Sequence, residues 1–455
     1  MKNSRRDFVK KAALGAAGVS FAGGILPAFS AKSYANIIGA NERILVAMMG
    51  VNSRGSQLGL TLAKQSAYEV LYVCDVDSRA SEKFTADLSK LQNKRPKAQP
   101  DFRKALEDKQ LDALIVAAPD HWHAPAAILA CKAGKHVYLE KPCSHNPHEG
   151  ELIVAAAKKY NRTVLLGTQR RSLPNIQAAI KELHAGIIGR PYYAKTAYSN
   201  NRPSIGIGRE TAVPSWLDFE LWQGPAPRGK YKDNIVHYNW HWFWNWGTGE
   251  ACNNGVHSVD IARWGLGVDY PVRVSSGGGR FHYKDDWETP DTQSINMEFD
   301  NNTLINWEGI SCNGQKRNLA NGVMFYGDNG SLLIGGGENA YTVYDKDNKV
   351  VKQVGGDQEN GQPAVVSSQN SSVPISLDST TLHFEHFADV IRKGAVSNQD
   401  ILSGHKSTLL LQLGNIAQRT GHSLQIDPKN GHILNDPEAM KYWSREYQPG
   451  WEPKL

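Results

Sequence analysis

Short apolar runs separated by helical stretches organise the first third of the chain. Residues 44–49 (Ile-Leu-Val-Ala-Met-Met) and 69–74 (Glu-Val-Leu-Tyr-Val-Cys) read as buried strands, the first meeting a turn at Gly50 and the second ending on Asp75. Residues 113–117, 136–139 and 163–166 continue the series, with helical patterns to about Gln65 and near 79–93, 102–108, 122–133, 147–160 and 173–185. Strands that lack polar alternation and alternate with helices predict a parallel sheet covered on both faces. Beyond Gly189 the pattern becomes alternating, at 272–276, 293–299 and 303–308, with turns at Asp300-Asn301-Asn302 and Gly327-Asp328-Asn329-Gly330. The expected fold class is α/β, followed by an α+β C-terminal domain on a mainly antiparallel open sheet. Residues 355–375, rich in Gly, Gln, Ser and Asn, read as a loop, and helices near 382–393 and 403–419 precede an irregular tail.

The chain opens Ser4-Arg5-Arg6-Asp7-Phe8-Val9-Lys10, then runs through small apolar residues from Ala12 to Phe29. That order is a twin-arginine export signal, with cleavage after Ser30 or Ala35. Residues 1–35 are therefore set apart from the fold, 36–168 are assigned to the first domain and 169–455 to the second. The expected location is periplasmic. No later stretch reaches the length of apolar sequence that spans a bilayer, so no membrane association is expected after signal removal.

The net charge of +6 invites a nucleic-acid reading until it is divided. Lys2, Arg5, Arg6, Lys10, Lys11 and Lys32 against Asp7 place nearly all of it in the export segment. The remainder is close to neutral, and nucleic acid drops out as a partner. Five cysteines without paired spacing do not make a disulfide framework and suit folding in the cytoplasm before export.

The turn after the first strand is Gly50-Val51-Asn52-Ser53-Arg54-Gly55, a dinucleotide fingerprint with Asn52 where its second glycine belongs. Gly50 permits the tight turn, Gly55 permits close helix packing, and the helix N-terminus beginning near Arg54 offers amides to a pyrophosphate. Asn tolerates left-handed backbone angles, so the turn is expected to survive. Asp75 stands where a carboxylate accepts the ribose hydroxyls of the adenosine half and repels a 2′-phosphate. The first domain is thus read as a Rossmann parallel sheet holding NAD, with NADP as the alternative because Arg79 lies close by.

Ala117-Ala118-Pro119-Asp120-His121-Trp122-His123 comes next, then Glu140-Lys141-Pro142, Gly167-Thr168-Gln169-Arg170-Arg171, Leu221-Trp222-Gln223-Gly224-Pro225 and Gly247 through Asp260. In this order the chain resembles the Gfo/Idh/MocA oxidoreductases, over nearly all of its length after the signal. The resemblance implies an NAD(P)-dependent enzyme acting on a secondary alcohol of a sugar-like substrate, and a homo-oligomer. It puts Lys141 beside the nicotinamide and the reacting hydroxyl, with Pro119, His121, His123 and Glu140 around the cofactor. His257 takes the proton-acceptor position and Asp260 a structural one. Asn253 stands where the family has a catalytic Asp; an amide can hold substrate or orient the imidazole but cannot stabilise an imidazolium as a carboxylate does.

Gln169, Arg170 and Arg202 are expected to line the substrate site. Trp240, Trp242, Trp244 and Trp246 alternate, and an extended segment would set the four indoles on one face as a sugar platform, with Trp242 chosen as the contact. A retained tight cofactor follows from export, since free NAD is not expected outside the cytoplasm. Three other readings compete. Relatives in this family act as redox-assisted glycoside hydrolases or lyases, although those glycosidases usually lack the lysine found here at 141. Fifteen histidines, among them His121, His123, His237, His241 and His257, raise metal-dependent hydrolysis, but without a recognised metal spacing no metal site is assigned. Asn52 and Asn253 raise a sugar-binding protein without catalysis.

Overall fold

The computed structural model describes residues 43–314, 322–335, 339–355 and 377–455. The expected export segment, residues 1–35, and all but the first residue of the stretch expected to be a loop, 355–375, lie outside the described residues.

Six strands form the first sheet: β1 (Ile44–Met49), β2 (Tyr68–Cys74), β3 (Lys97–Ala98), β4 (Ala113–Val116), β5 (His136–Leu139) and β6 (Val164–Leu166), in the order β3-β2-β1-β4-β5-β6 and all parallel. Alternate residues of each apolar run serve opposite faces, as the two-residue period of a strand requires. In β1, Val46 and Met48 join Leu58, Leu62 and Phe84 on one face, while Ala47 and Met49 join Phe102, Trp122 and Ile128 on the other. The two-residue β3 lies between the helical patterns at 79–93 and 102–108.

The second sheet is ordered β14-β13-β12-β11-β7-β10-β9-β8-β15, from β7 (Pro191–Ser199), β8 (Arg273–Gly279), β9 (Thr292–Glu298), β10 (Leu304–Ile310), β11 (Val323–Gly327), β12 (Gly330–Ile334), β13 (Tyr341–Tyr344), β14 (Val350–Val354) and β15 (Leu424–Gln425). Only β7 and β10 pair in parallel. One face packs on the helices Pro174–His184, Val256–Leu266 and Ile401–Thr420, which explains the alternation in these strands.

The helix Leu377–Lys393 returns to the first sheet, where Phe384 and Phe387 are fully buried and Phe384 packs 4.6 Å from Tyr138. All five cysteines are free and buried. Among the described residues, no helix is long and apolar enough to cross a membrane.

One buried ion pair joins the segments behind the cleft. Asp260 accepts Arg171 through both carboxylate oxygens, at 2.8 and 2.9 Å, and also accepts Gln399 at 3.0 Å and Ser407 at 2.7 Å. Burial pushes its carboxyl pKa up, but Arg171, Arg263 and Ser407 together outweigh this and hold it below the ordinary value. This supports the structural role expected for Asp260. Asp260→Ala strands the Arg171 guanidinium and should cost about 3–5 kcal/mol in denaturant unfolding. Because the folded pKa is depressed, this contribution is full above the unfolded carboxylate pKa of about 3.9 and fades as pH falls through the lower folded value.

Candidate active site

The carboxyl ends of β1, β2, β4 and β5 open into a cleft of about 620 Å³, where the strand order reverses between β1 and β4. Gly50 lies at φ +80°, and a Cβ there would stand 2.7 Å from the Ala117 carbonyl oxygen. A Cβ on Gly55 would meet the Gly50 oxygen at 1.7 Å, so both glycines are required by space. Asn52 is not among the residues at positive φ; the turn closes without the left-handed conformation expected of it.

The helix Arg54–Ala63 starts at Ser53, whose side chain makes no capping bond, and its first turn holds no acidic residue. Its amides are thus left to a ligand. Arg54 pairs with Glu140 at 3.1 Å, and its Nη2 is buried without a partner. These features fit a dinucleotide pyrophosphate.

Asp75 lines the cleft, its carboxylate accepting Val51 N–H at 2.6 Å and Asp77 N–H at 2.9 Å. Burial pushes its pKa up. A carboxylate retains acceptor capacity beyond two such bonds, which leaves room for ribose hydroxyls. Arg79 is not poised for a 2′-phosphate: it pairs with Asp77 at 3.0 Å and stacks 3.5 Å over Trp216.

Lys141 follows β5 and reaches into the second domain, where its Nζ donates to the Asn253 carbonyl oxygen at 2.6 Å and lies 3.3 Å from Oδ1. Burial lowers its pKa, with Glu140 and Asp120 opposing. Asn253 belongs to a single π-helical turn, Ala251–Gly255, of the kind that recurs at functional sites. His257 follows on the helix Val256–Leu266 and lines the same cleft. Both its ring nitrogens are buried without a hydrogen-bond partner, and burial, then Lys141, hold its pKa well below 6.5.

Pro119 and His123 also line the cleft, but both His123 nitrogens are taken by the Pro142 and Ala118 carbonyls. Five expected ligand contacts lie outside the lining of the cleft. His121 is fully buried with Nε2 on the Trp222 carbonyl at 2.9 Å. Gln169 instead holds Glu140 at 2.9 Å and Tyr138 at 2.7 Å. Arg170 donates to the Gly335 carbonyl, and Arg202 forms a buried pair with Glu250 at 2.7 Å. Trp242 is packed face to face on Trp287 at 4.0 Å, because residues 239–242 form a 3-10 turn that scatters the four indoles. Trp240 lines the cleft in its place, beside Trp222, His237, Tyr238 and His241. The histidines of this wall carried a sequence signal, but one weighed only for a metal. Among the described residues no group of three or more His, Cys, Asp or Glu side chains is placed to hold one.

The family model for oxidoreductases with an NAD-binding Rossmann fold matches residues 44–168, and the GFO/IDH/MocA C-terminal domain matches 176–333. The chain belongs to the Gfo/Idh/MocA oxidoreductase family. It is 24% identical over 342 residues to scyllo-inositol 2-dehydrogenase (NAD(+)) of Bacillus subtilis, covering 72% of this chain and 82% of that protein. A glycosyl hydrolase family 109 protein of Saccharopolyspora erythraea is 27% identical over 253 residues, spanning 50% of this chain and 55% of the relative. Among solved structures, the aldose-aldose oxidoreductase of Caulobacter crescentus complexed with glycerol superposes with a TM-score of 0.63 at 16% identity, over 84% of this chain and 100% of that one. The WlbA dehydrogenase of Bordetella pertussis in complex with NADH and UDP-GlcNAcA gives 0.61 at 17% identity, over 85% and 99%. As a Gfo/Idh/MocA oxidoreductase, the protein carries an NAD-binding Rossmann domain, and Gly50, Arg54 and Asp75 line its cleft.

Asp75→Ala should weaken NAD binding by about 1.5–3 kcal/mol, the scale of a charge-assisted hydrogen bond. Calorimetric titration of the unaltered protein should favour NAD over NADP; tighter NADP binding contradicts this role for Asp75.

Proposed function

We propose that the protein oxidises a secondary alcohol of a sugar or sugar-like substrate, with His257 as proton acceptor and Lys141 holding the reacting oxygen. The observation that carries this reading is the pair of unpartnered His257 nitrogens, buried in the same cleft as the Lys141 ammonium. Bound NAD supplies the acceptor for the carbinol hydride. His257 stays neutral at ordinary pH and keeps a lone pair for the hydroxyl proton. Lys141, fixed by two oxygens of Asn253, presents its positive charge to the substrate oxygen as that oxygen gains charge. Asn253 thus positions Lys141 without neutralising it. The redox-assisted glycosidase reading gains support from the family 109 relative, over half its length, and is weakened by the presence of Lys141.

Export through the twin-arginine route, proposed from residues 1–35, requires the cofactor to be loaded beforehand and retained. Retention is supported at the adenosine end of the cleft. Asp77 and Leu217 form an antiparallel bridge, Ser78 N–H donates to the Trp216 carbonyl at 3.0 Å, and Asp218 N–H donates to the Val76 carbonyl at 3.0 Å. His237 adds a contact to Asp77 at 2.8 Å. This latch draws the second domain's aromatic wall against the turn that carries Asp75.

His257→Ala or Lys141→Ala should each lower turnover on an oxidised sugar by about 10²–10⁴ with cofactor still bound. Since both pKa values are lowered, the acid limb of the kcat/KM profile should lie below pH 6.5 and the basic limb should begin below 10.5. Near-normal turnover in His257→Ala would move the base elsewhere. Protein isolated after export should carry near-stoichiometric dinucleotide through desalting, and Trp216→Ala should hasten its loss. Empty protein that needs added NAD contradicts retention.

A further inference from the structure

His123, on the helix Asp120–Lys132, has both ring nitrogens committed. Nδ1 lies 2.5 Å from the Pro142 carbonyl oxygen and Nε2 lies 2.8 Å from the Ala118 carbonyl oxygen, with the residue 2% exposed. A carbonyl oxygen can only accept, and a neutral imidazole has a single N–H to give. With one proton, a bare nitrogen lone pair would face a carbonyl lone pair where neither reaches water, at the cost of two unsatisfied buried groups. Both contacts are hydrogen bonds only when the ring carries both protons. No other histidine of the cleft is placed this way among the described residues. His121 and His241 each meet one carbonyl, His237 meets the Asp77 carboxylate, and His257 meets nothing.

A buried cation requires a counter-charge. Asp120 opens the same helix one turn earlier, is 3% exposed and lines the cleft. Its Oδ2 accepts the Thr248 hydroxyl at 2.5 Å, which anchors the carboxylate from the segment that leads into the turn of Asn253. Glu140 is paired with Arg54, and Asp75 is held by backbone N–H groups at the far end. Asp120 has no such arginine. Burial pushes its carboxyl up, and charge on His123, then the Thr248 hydroxyl and the Lys141 charge, oppose this.

We propose that His123 is a buried imidazolium with Asp120 as its counter-ion, and that this ion pair is a positioning element of the active site that keeps Lys141 in place and charged. The proposal rests on the reading of Lys141 given above. Pro142 follows Lys141 directly, and Ala118 belongs to the turn after β4, so the two N–H groups of His123 clamp the two turns that border the cleft. The Asp120 charge acts on Lys141 as well. Asn253 gives that ammonium two oxygens but no charge, and the charge comes from the first domain. Two cations then share one carboxylate. The positive balance faces the substrate oxygen as its hydroxyl loses a proton.

The test begins on the holoenzyme without substrate. Nitrogen NMR of histidine-labelled protein, with His123→Gln to assign the signal, should show both ring nitrogens of His123 protonated at neutral pH. Asp120→Asn should leave a neutral ring there. Around Lys141, the charges of Glu140, Asp120 and Glu250 favour the ammonium, Arg54 opposes it, and His241 and His257 share its cleft. Carbon NMR of lysine-labelled protein, assigned with Lys141→Arg, should therefore show Lys141 titrating at a pH lower by about one or more in Asp120→Asn, the scale of a lost neighbouring charge. A carboxylate with a merely structural part in the helix would leave both signals unmoved. With myo-inositol and D-glucose as probes, the basic limb of the kcat/KM profile should move down with the Lys141 titration, and Asp120→Glu should restore it in part. A neutral His123 in the unaltered protein overturns the proposal, and so does either signal left unmoved in Asp120→Asn. Failure to oxidise both probes counts against the sugar-oxidising reading alone, because the two NMR measurements need no substrate.

Discussion

A buried ammonium must find oxygen, and the oxygens that Lys141 finds belong to the other domain. Its stem leaves the end of β5 and its Nζ ends on the carbonyl and side chain of Asn253, in the π-helical turn that opens the helix Val256–Leu266. This contact fixes the separation between the nicotinamide end of the Rossmann sheet and the imidazole of His257. The supports on either side serve the same alignment. Glu140 is held by Arg54 and Gln169 on one flank, and Asp260 is held by Arg171 on the other. Residues that resembled ligand contacts in the sequence are therefore largely the struts behind the contacts.

The departure at Asn253 changes how charge is balanced in the site. The nearest acidic group on the same turn is Glu250, and it is committed to Arg202, Ser311 and Asn254. The Asn253 amide lies 3.4 Å from Glu250 through Nδ2, an orientation that leaves Oδ1 for Lys141. The negative charge is thus displaced by one turn and enters the cleft as an oriented dipole. A site of this kind favours developing negative charge on a substrate oxygen over accumulation of positive charge on His257.

The parallel sheet was legible because its strands are buried on both faces and lack competing patterns, and the turn after β1 because close approach demands glycine at 50 and 55. Gly50, Arg54, Asp75, Lys141 and His257 all line or adjoin the cleft as expected. The expected contacts that lie outside the cleft lining share a physical cause. Side chains such as Gln169, Arg170 and Arg202 offer donors to ligand or to protein with equal chemistry, and only tertiary placement decides between them. The Trp run differs for another reason: two-residue spacing carries facial information only in a strand, and residues 239–242 form a 3-10 turn followed by further turn residues. That the helix at 377–393 covers the first sheet was not legible, because a helix carries no local mark of the sheet it packs on.

That returning helix bears on how the chain can be made. Phe384 and Phe387 complete the first core, yet they emerge from the ribosome after every strand of the sheet they cover and after nearly all of the second sheet. Domains built from contiguous sequence can close one by one during synthesis. Here the earliest strands must wait, with one apolar face incompletely covered, for residues beyond 377. Completion of the nucleotide-binding half is thereby tied to completion of the polypeptide, so a chain arrested before that helix is an unfinished protein at both ends.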